Sequence, residues 1–314
     1  MKNPRVSVII PNYNHAKYLD QRIQSVLNQT YQDFEVIILD DCSPDNGASR
    51  AVIEKYRSNP HISHIVYNEK NSGSTFIQWQ KGFSLAKGEI IWIAESDDYS
   101  EPNFLSKCVE VIRNRTDIAL VFATSLLVDD NGNACKLRDR AEMIPSGVMD
   151  GQQFISKYMC TENVIWNASA VIFRKDFALS IPKTYQTYKA AGDHLFWVLL
   201  AERGKVAHIS DCLNYFRQHQ QKVTPTKYRE GITYKEEYDT FRYIKSINLV
   251  SPAKEKDAFY VYLKQILQQD FDNEEIRSRL LKMWWKENYF KFLRAFYAIK
   301  LSLFKTKVIS KVHL

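Results

Sequence analysis

The chain has 314 residues, 45% of them hydrophobic and 25% charged, and carries a formal charge of +7. This is ordinary globular composition, with length for one large α/β domain and an extension. No window approaches the roughly 18 consecutive apolar residues of a spanning helix. The five cysteines, Cys42, Cys108, Cys135, Cys160 and Cys212, are scattered without C-x-x-C spacing, so neither a disulfide framework nor a zinc knuckle is suggested and all five read as reduced, mostly structural thiols.

The opening stretch MKNPRVSVIIPNYN has too short an apolar run before Pro11 and Asn12 for a signal peptide, so a cytoplasmic chain is expected. Between Arg5 and Ala123, β-branched runs alternate with helical periods, the pattern of βαβ units in a mainly parallel sheet. VSVII (from Val6), EVIIL (from Glu35), SHIVY (from Ser63), IIWIA (from Ile90) and IALVFA (from Ile118) read as strands. Leu19, Ile23, Val26 and Leu27 share one helical face, and Val52, Ile53 and Tyr56 another. A third helix, beginning at Thr75, is expected to run to Lys87 and close on a left-handed cap at Gly88. Further on come a turn in DDNGN, a strand SAVIF, a helix DHLFWVLLAER closed by Gly204, and a strand CLNYFRQH that starts at Cys212. QQKVTPTKYREG reads as a loop or boundary, and everything from about Tyr234 onward as helical.

Two apolar strands run straight into carboxylates: FEVIILDDCSPD into Asp40, Asp41 and Asp45, and IIWIAESDDY into Glu95, Asp97 and Asp98. Such acids can cap a following helix or sit in a solvated turn. They can also bind a base or ribose and hold a divalent cation, since Mg²⁺ and Mn²⁺ take hard oxygen donors together with substrate phosphates. Open sheets bind ligands outside the carboxyl ends of their strands, and two such clusters at one edge favour the ligand reading.

The stretches VSVIIPNYNHAKYLDQRIQSVLNQTYQDFEVIILDDCSPDNG and NEKNSGSTFIQWQKGFSLAKGEIIWIAESDDYSEPNFL, with GDHLFW and YFRQH later, give the chain a resemblance to family 2 glycosyltransferases of the GT-A fold. The resemblance covers roughly residues 5 to 225 and implies a GT-A type, Rossmann-like α/β catalytic domain over 1–225, with a helical extension over 226–314. It implies that Pro11, Asn12 and Tyr13 wall the nucleotide, that Asp41 accepts from uracil with Asp40 beside it, and that Asp97 contacts ribose. Asp97, Asp98, Glu95 and His219 become candidate ligands for Mn²⁺ or Mg²⁺, with Glu95 standing where many members have aspartate. Gly73 in NSGST and Arg217 in YFRQH become candidate contacts to sugar or diphosphate. Asp193, after Gly192, matches the base that takes the acceptor's proton, although Asp before HLFWVLLA is also a good helix cap.

From Arg277 onward there are ten Lys and Arg residues against the single acid Glu287. Leu281, Trp284, Trp285, Phe292, Phe296 and Ile299 give an apolar face, with Lys282, Lys286, Lys291, Lys300 and Lys305 around it. Such a helix can lie on an anionic membrane or pack back on the domain, and no recognised RNA or DNA motif accompanies the charge. The expected function is inverting, metal-dependent transfer from a nucleotide-sugar, UDP-linked by the resemblance, to a glycan or lipid-linked acceptor in surface-polysaccharide synthesis. The alternatives are a catalytically inactive nucleotide-sugar or glycan-binding module, and a nucleotidyltransferase, which would release pyrophosphate.

Overall fold

The computed structural model describes residues 4–135, 139–219 and 224–312. The chain forms two compact units: Met1–Phe154, Val164–Thr187 and Leu195–Gln221 make the first, and Ile155–Asn163, Tyr188–His194 and Lys222–Leu314 the second.

In the first unit, strands β1 (Val6–Asn12), β2 (Phe34–Asp40), β3 (Ile62–Tyr67) and β4 (Ile90–Ile93) lie parallel in the order β3-β2-β1-β4. Every residue of β1, β2 and β4 is buried, as strands covered on both faces require, and hence these are runs of Val and Ile rather than alternating patterns. Helices α1 (Ala16–Leu27), α2 (Ala48–Glu54) and α3 (Thr75–Leu85) make the crossovers. On one face Leu19, Ile23 and Val26 of α1 join Val8, Ile10, Val36 and Ile38 in a core cluster. Ile9, of opposite parity, meets α3, where a Cβ on Gly82 would sit 2.6 Å from Ile9 Cγ2.

The sheet continues through β5 (Tyr99–Ser100), β6 (Ile118–Val128), β7 (Gly147–Met149), β8 (Val171–Arg174) and β9 (Lys205–Arg217). Here β8 runs antiparallel to β4 and β6, β9 runs parallel to β6, and β5 and β7 pair antiparallel with β9. With it belong α4 (Phe104–Ile112), α5 (Gly151–Phe154), α6 (Lys175–Ser180) and the part of α7 (Gly192–Ala201) from Leu195 onward, the residues of α7 up to His194 being counted in the second unit. The expected α/β fold with a mainly parallel sheet and a helical C-terminal region is borne out.

Several boundaries differ for physical reasons. β1 extends to Asn12 because Pro11, which needs no N–H to remain in register, still pairs with Leu39. α3 ends at Leu85 rather than Lys87, and Gly88 is no left-handed cap: a Cβ there would lie 2.7 Å from Ser7 N, so glycine permits backbone contact. α4 was missed, although Phe104, Leu105, Cys108, Val109 and Ile112 are all buried on it at helical spacing. β9 starts seven residues before the expected Cys212.

The second unit is built on α8 (Thr224–Arg229), α9 (Ile232–Ser246), α10 (Pro252–Gln268), α11 (Glu274–Glu287) and α12 (Tyr289–Val312). Helix α8 occupies part of the expected loop; positions 220–223 of it lie outside the described residues. Trp284 is 1% exposed and ringed by Tyr238, Phe241, Phe259 and Tyr262. Most of the expected tail face is therefore internal: Trp284, Phe292 and Ile299 are buried, Leu281 and Phe296 pack against them, and Lys291 pairs with Glu255. The Lys305 side chain lies outside the described residues.

Candidate active site

The register places Asn12 beside Asp40 at the carboxyl ends of β1 and β2. Asn12 Nδ2 donates to Asp40 Oδ1 at 2.7 Å, and Ser43 donates to the same carboxylate through N at 3.1 Å and Oγ at 2.6 Å. Asp40 thereby holds the loop after β2, while Tyr13 stands 47% exposed beside it. Buried Asp41 collects Asn68 Nδ2 at 2.6 Å, Gln78 Nε2 at 2.9 Å, and Ser72 through N at 2.9 Å and Oγ at 2.7 Å. One carboxylate thus folds the NSGST segment onto the sheet edge, with Gly73 at φ 73°, a left-handed conformation that glycine adopts without strain. Pro11 is buried within β1.

The acidic stretch after β4 divides its carboxylates between two tasks. Asp98, 2% exposed, accepts from Asn167 Nδ2 and Ser169 Oγ, both at 2.8 Å, and from Arg217 N at 3.0 Å. Glu95 accepts from Trp79 Nε1 at 2.9 Å; loss of solvent and then the neighbouring Asp97 charge push its carboxyl up to about 8. Arg217 is buried and gives its guanidinium to the carbonyls of Asp97 at 2.9 Å and Asp130 at 2.9 Å and to Gln21 Oε1 at 2.7 Å. These contacts clamp the acidic stretch from behind. Arg22, fully buried, donates to the Glu95 carbonyl at 2.9 Å and places positive charge beneath the acids; burial lowers it to about 10.

Asp97 takes the other task. Its Oδ2 lies 2.9 Å from His219 Nε2, and with His15 these residues put one donor atom each within 4.8 Å of one another. His15 Nδ1 meets Ser96 Oγ at 2.9 Å, and the two imidazoles stand edge to face. Of the expected metal ligands the structure brings Asp97 and His219 together and engages Asp98 and Glu95 elsewhere. His15 was missed in the sequence, although it lies three residues beyond β1 at the edge that carries both acidic clusters. One carboxylate and two imidazoles suit Mn²⁺ better than Mg²⁺, which prefers oxygen donors throughout.

Asp193 belongs to the second unit. It sits in the first turn of α7, half-buried, and its Oδ2 accepts from Asn163 Nδ2 at 2.9 Å. Burial raises its carboxyl from 3.8 to about 7, with the Glu236 charge adding to the rise while backbone N–H groups and Asn163 oppose it. A carboxylate so placed exchanges a proton near neutral pH, as general bases do. The next residue, His194, is buried, bonded to the Met159 carbonyl at 2.9 Å, and lowered to about 4 by desolvation, so it stays neutral.

A mainly parallel sheet with liganding groups at the carboxyl ends of its strands defines an α/β protein of the nucleotide-binding type. Residues 7–166 match the model of Glycosyl transferase family 2, and the chain belongs to that family. An uncharacterized glycosyltransferase of Methanocaldococcus jannaschii is 31% identical over 199 residues, which cover 63% of this chain and 65% of that protein. Chondroitin synthase of Escherichia coli is 30% identical over 216 residues, 67% of this chain and 29% of its own length. The matches thus span less than two thirds of either relative. Among solved structures, S. aureus TarS 1-349 in complex with UDP-GlcNAc has a TM-score of 0.66 at 20% identity, covering 89% of this chain and 80% of that one. The mannosyltransferase PcManGT from Pyrobaculum calidifontis, in complex with GDP-Man and Mn²⁺, has a TM-score of 0.58 at 15% identity, covering 90% and 75%. These two likenesses are of fold.

Proposed function

We propose that the chain is an inverting, metal-dependent glycosyltransferase that moves a sugar from a UDP-sugar to a glycan or lipid-linked acceptor in cell-surface polysaccharide synthesis. The observation that carries this is the His15, Asp97 and His219 cluster at the strand-end edge of a family 2 chain. Chondroitin synthase among the relatives supports a polysaccharide product, and TarS with UDP-GlcNAc supports a UDP donor. Residues 1–225 would form the catalytic domain, with Pro11, Asn12, Tyr13 and the loops held by Asp40 and Asp41 around the nucleotide, and Gly73 near the sugar. His15, Asp97 and His219 would hold the ion; Asp98 and Glu95 shape the stretch, and Arg217 clamps it. A bound divalent cation supplies electrostatic stabilisation to the diphosphate leaving group. Asp193 takes the acceptor hydroxyl proton as that oxygen bonds to the anomeric carbon and the carbon–oxygen bond to the diphosphate breaks. Asn163 orients that carboxylate.

Thermal unfolding against a panel of nucleoside diphosphates, with and without Mn²⁺, tests the donor site. UDP with Mn²⁺ at about 100 times its Kd should stabilise the protein by about 2.7 kcal/mol, a rise of several degrees in Tm. A response to GDP alone would overturn the UDP assignment, and no response to any nucleotide would put the inactive-module reading first.

A membrane surface is proposed as a further contact, through exposed residues that keep Trp285, Lys282, Lys286 and Lys300 of the face read in the sequence and replace its buried aromatics. Trp285, Tyr289, Phe290, Tyr297 and Leu301 are exposed, Phe290 at 81%, beside exposed Lys282, Lys286, Arg294 and Lys300. No helix is long and apolar enough to cross a membrane among the described residues. Aromatic and basic side chains mixed on one surface fit the interface of an anionic bilayer. Cosedimentation with anionic vesicles should fall at least about tenfold when Trp285, Phe290 and Tyr297 are changed together to Ser, each such aromatic burying sizeable apolar area; unchanged binding would refute the contact.

A further inference from the structure

The strap that leads into α7 is held in an unusual way. The carboxylate of Glu236, on α9, accepts three consecutive backbone N–H groups: Lys189 N at 2.6 Å on Oε1, and Ala190 N at 2.9 Å and Ala191 N at 2.8 Å on Oε2. Glu236 is only 5% exposed, and all these residues lie in the second unit. An ionised carboxylate accepting several N–H bonds is among the stronger anchors that a backbone segment can have. Two residues past the last of these donors stands Asp193, held from its other side by Asn163.

We infer that Glu236 is a positioning residue for transfer: through Lys189, Ala190 and Ala191 it fixes the strap that delivers the Asp193 carboxylate, an inference that rests on Asp193 being the base. A base must be held within a fraction of an ångström and a few tens of degrees of its working geometry, and a strap pinned by one buried carboxylate supplies that constraint. The same carboxylate acts electrostatically, because its negative charge opposes ionisation of Asp193. The other groups about Asp193 are Glu237, Tyr228 and the neutral His194. Glu237 is itself pushed up to about 8 by burial and then by Asp193 and the other acids. Tyr262, fully buried, has a hydroxyl without a hydrogen-bond partner among the described residues and is coupled to Glu237 and Glu162. Glu236 is the member of this group whose oxygens both hold backbone N–H groups next to the base.

The test compares wild type, Glu236→Gln, Glu236→Asp and Asp193→Asn at saturating donor and acceptor. Glu236→Gln should lower kcat by about 10- to 100-fold, the scale of losses when a base is displaced without being removed, and leave the donor KM within about twofold. The acid limb of its kcat–pH profile should move to lower pH, because a negative charge that held the Asp193 proton has gone. Glu236→Asp keeps the charge, so its limb should stay where wild type has it, whatever it loses in rate. Hydrogen exchange should show faster exchange in the peptide around Lys189 to Ala191 in Glu236→Gln, with α10 and α11 unchanged. If Glu236→Gln keeps the wild-type kcat and acid limb, or loses rate only in proportion to its unfolded fraction, the inference is overturned. If Glu236→Gln does not fold, the exchange and kcat of Glu236→Asp against wild type decide: a strap that exchanges faster while kcat stays at the wild-type value overturns it equally, and a kcat that falls as strap exchange rises supports it. Full activity in Asp193→Asn would instead overturn the assignment of the base.

Discussion

Asp193→Asn is expected to lower kcat by about 10² to 10⁴, the usual contribution of a general base, while leaving the affinity for donor and metal unchanged. The same variant should be more stable than wild type, and more so at pH 8 than at pH 5. The sign follows from the shift. Folding raises the Asp193 carboxyl from 3.8 to about 7, so the folded chain holds that proton more tightly than the unfolded one. That contribution to stability is fully present below pH 3.8, declines as pH rises from there, and is fully lost once pH passes about 7, above which the group is ionised in its buried site. Asparagine removes the penalty and can still accept from Asn163. A Tm a few degrees above wild type at pH 8, with a smaller gain at pH 5, would show a base kept at a cost in stability. Lowered stability at pH 8, or turnover retained within tenfold, would contradict the role.

The second large effect separates two adjacent acids. Asp98→Ala should destabilise the fold by about 3 to 5 kcal/mol, whereas Asp97→Ala should leave stability largely intact and abolish the Mn²⁺-dependent response to UDP. Asp98 is 2% exposed, and its loss strands donors on Asn167, Ser169 and Arg217. It also removes the strongest electrostatic partner of the buried Arg22 guanidinium. Asp97 has a side chain 15% exposed and turns its carboxylate to His219, near His15. Denaturant unfolding measures the first effect, and thermal unfolding with UDP and Mn²⁺ the second. A full nucleotide and metal response in Asp97→Ala would refute the ion site proposed at His15, Asp97 and His219. Asp98→Ala with wild-type stability would show that the buried network around Arg217 carries little of the fold.

The first half of the fold was legible because its signals are local. Strands buried on both faces read as runs of Val and Ile, and α1 shows its apolar face at three- and four-residue spacing, so β1 to β4 and their crossovers follow from pattern alone. Asp40, Asp41, Asp97 and Asp98 could be found for the same reason, since charge at the end of an apolar run is visible in one dimension. α4 had an equally regular pattern and was passed over beside the acidic stretch.

Sequence alone therefore determined the class of fold, the family, the sheet edge that carries the candidate site, and the candidate acids. Tertiary structure alone decided which acid does what. Adjacent carboxylates at 97 and 98 are chemically alike, and only packing turns one into a buried acceptor for Asn167 and Ser169 and the other toward His219. His15 meets Asp97 and His219 only because β1, β4 and β9 belong to one sheet, a pairing that residue spacing does not encode. Glu236 is one of several acids in a helical stretch until folding brings it to the N–H groups of 189–191. The C-terminal helices show the same limit: periodicity marked an apolar face on α11 and α12, but which aromatics are covered depends on what packs against them, and Trp284 went into the core while Phe290 stayed outside.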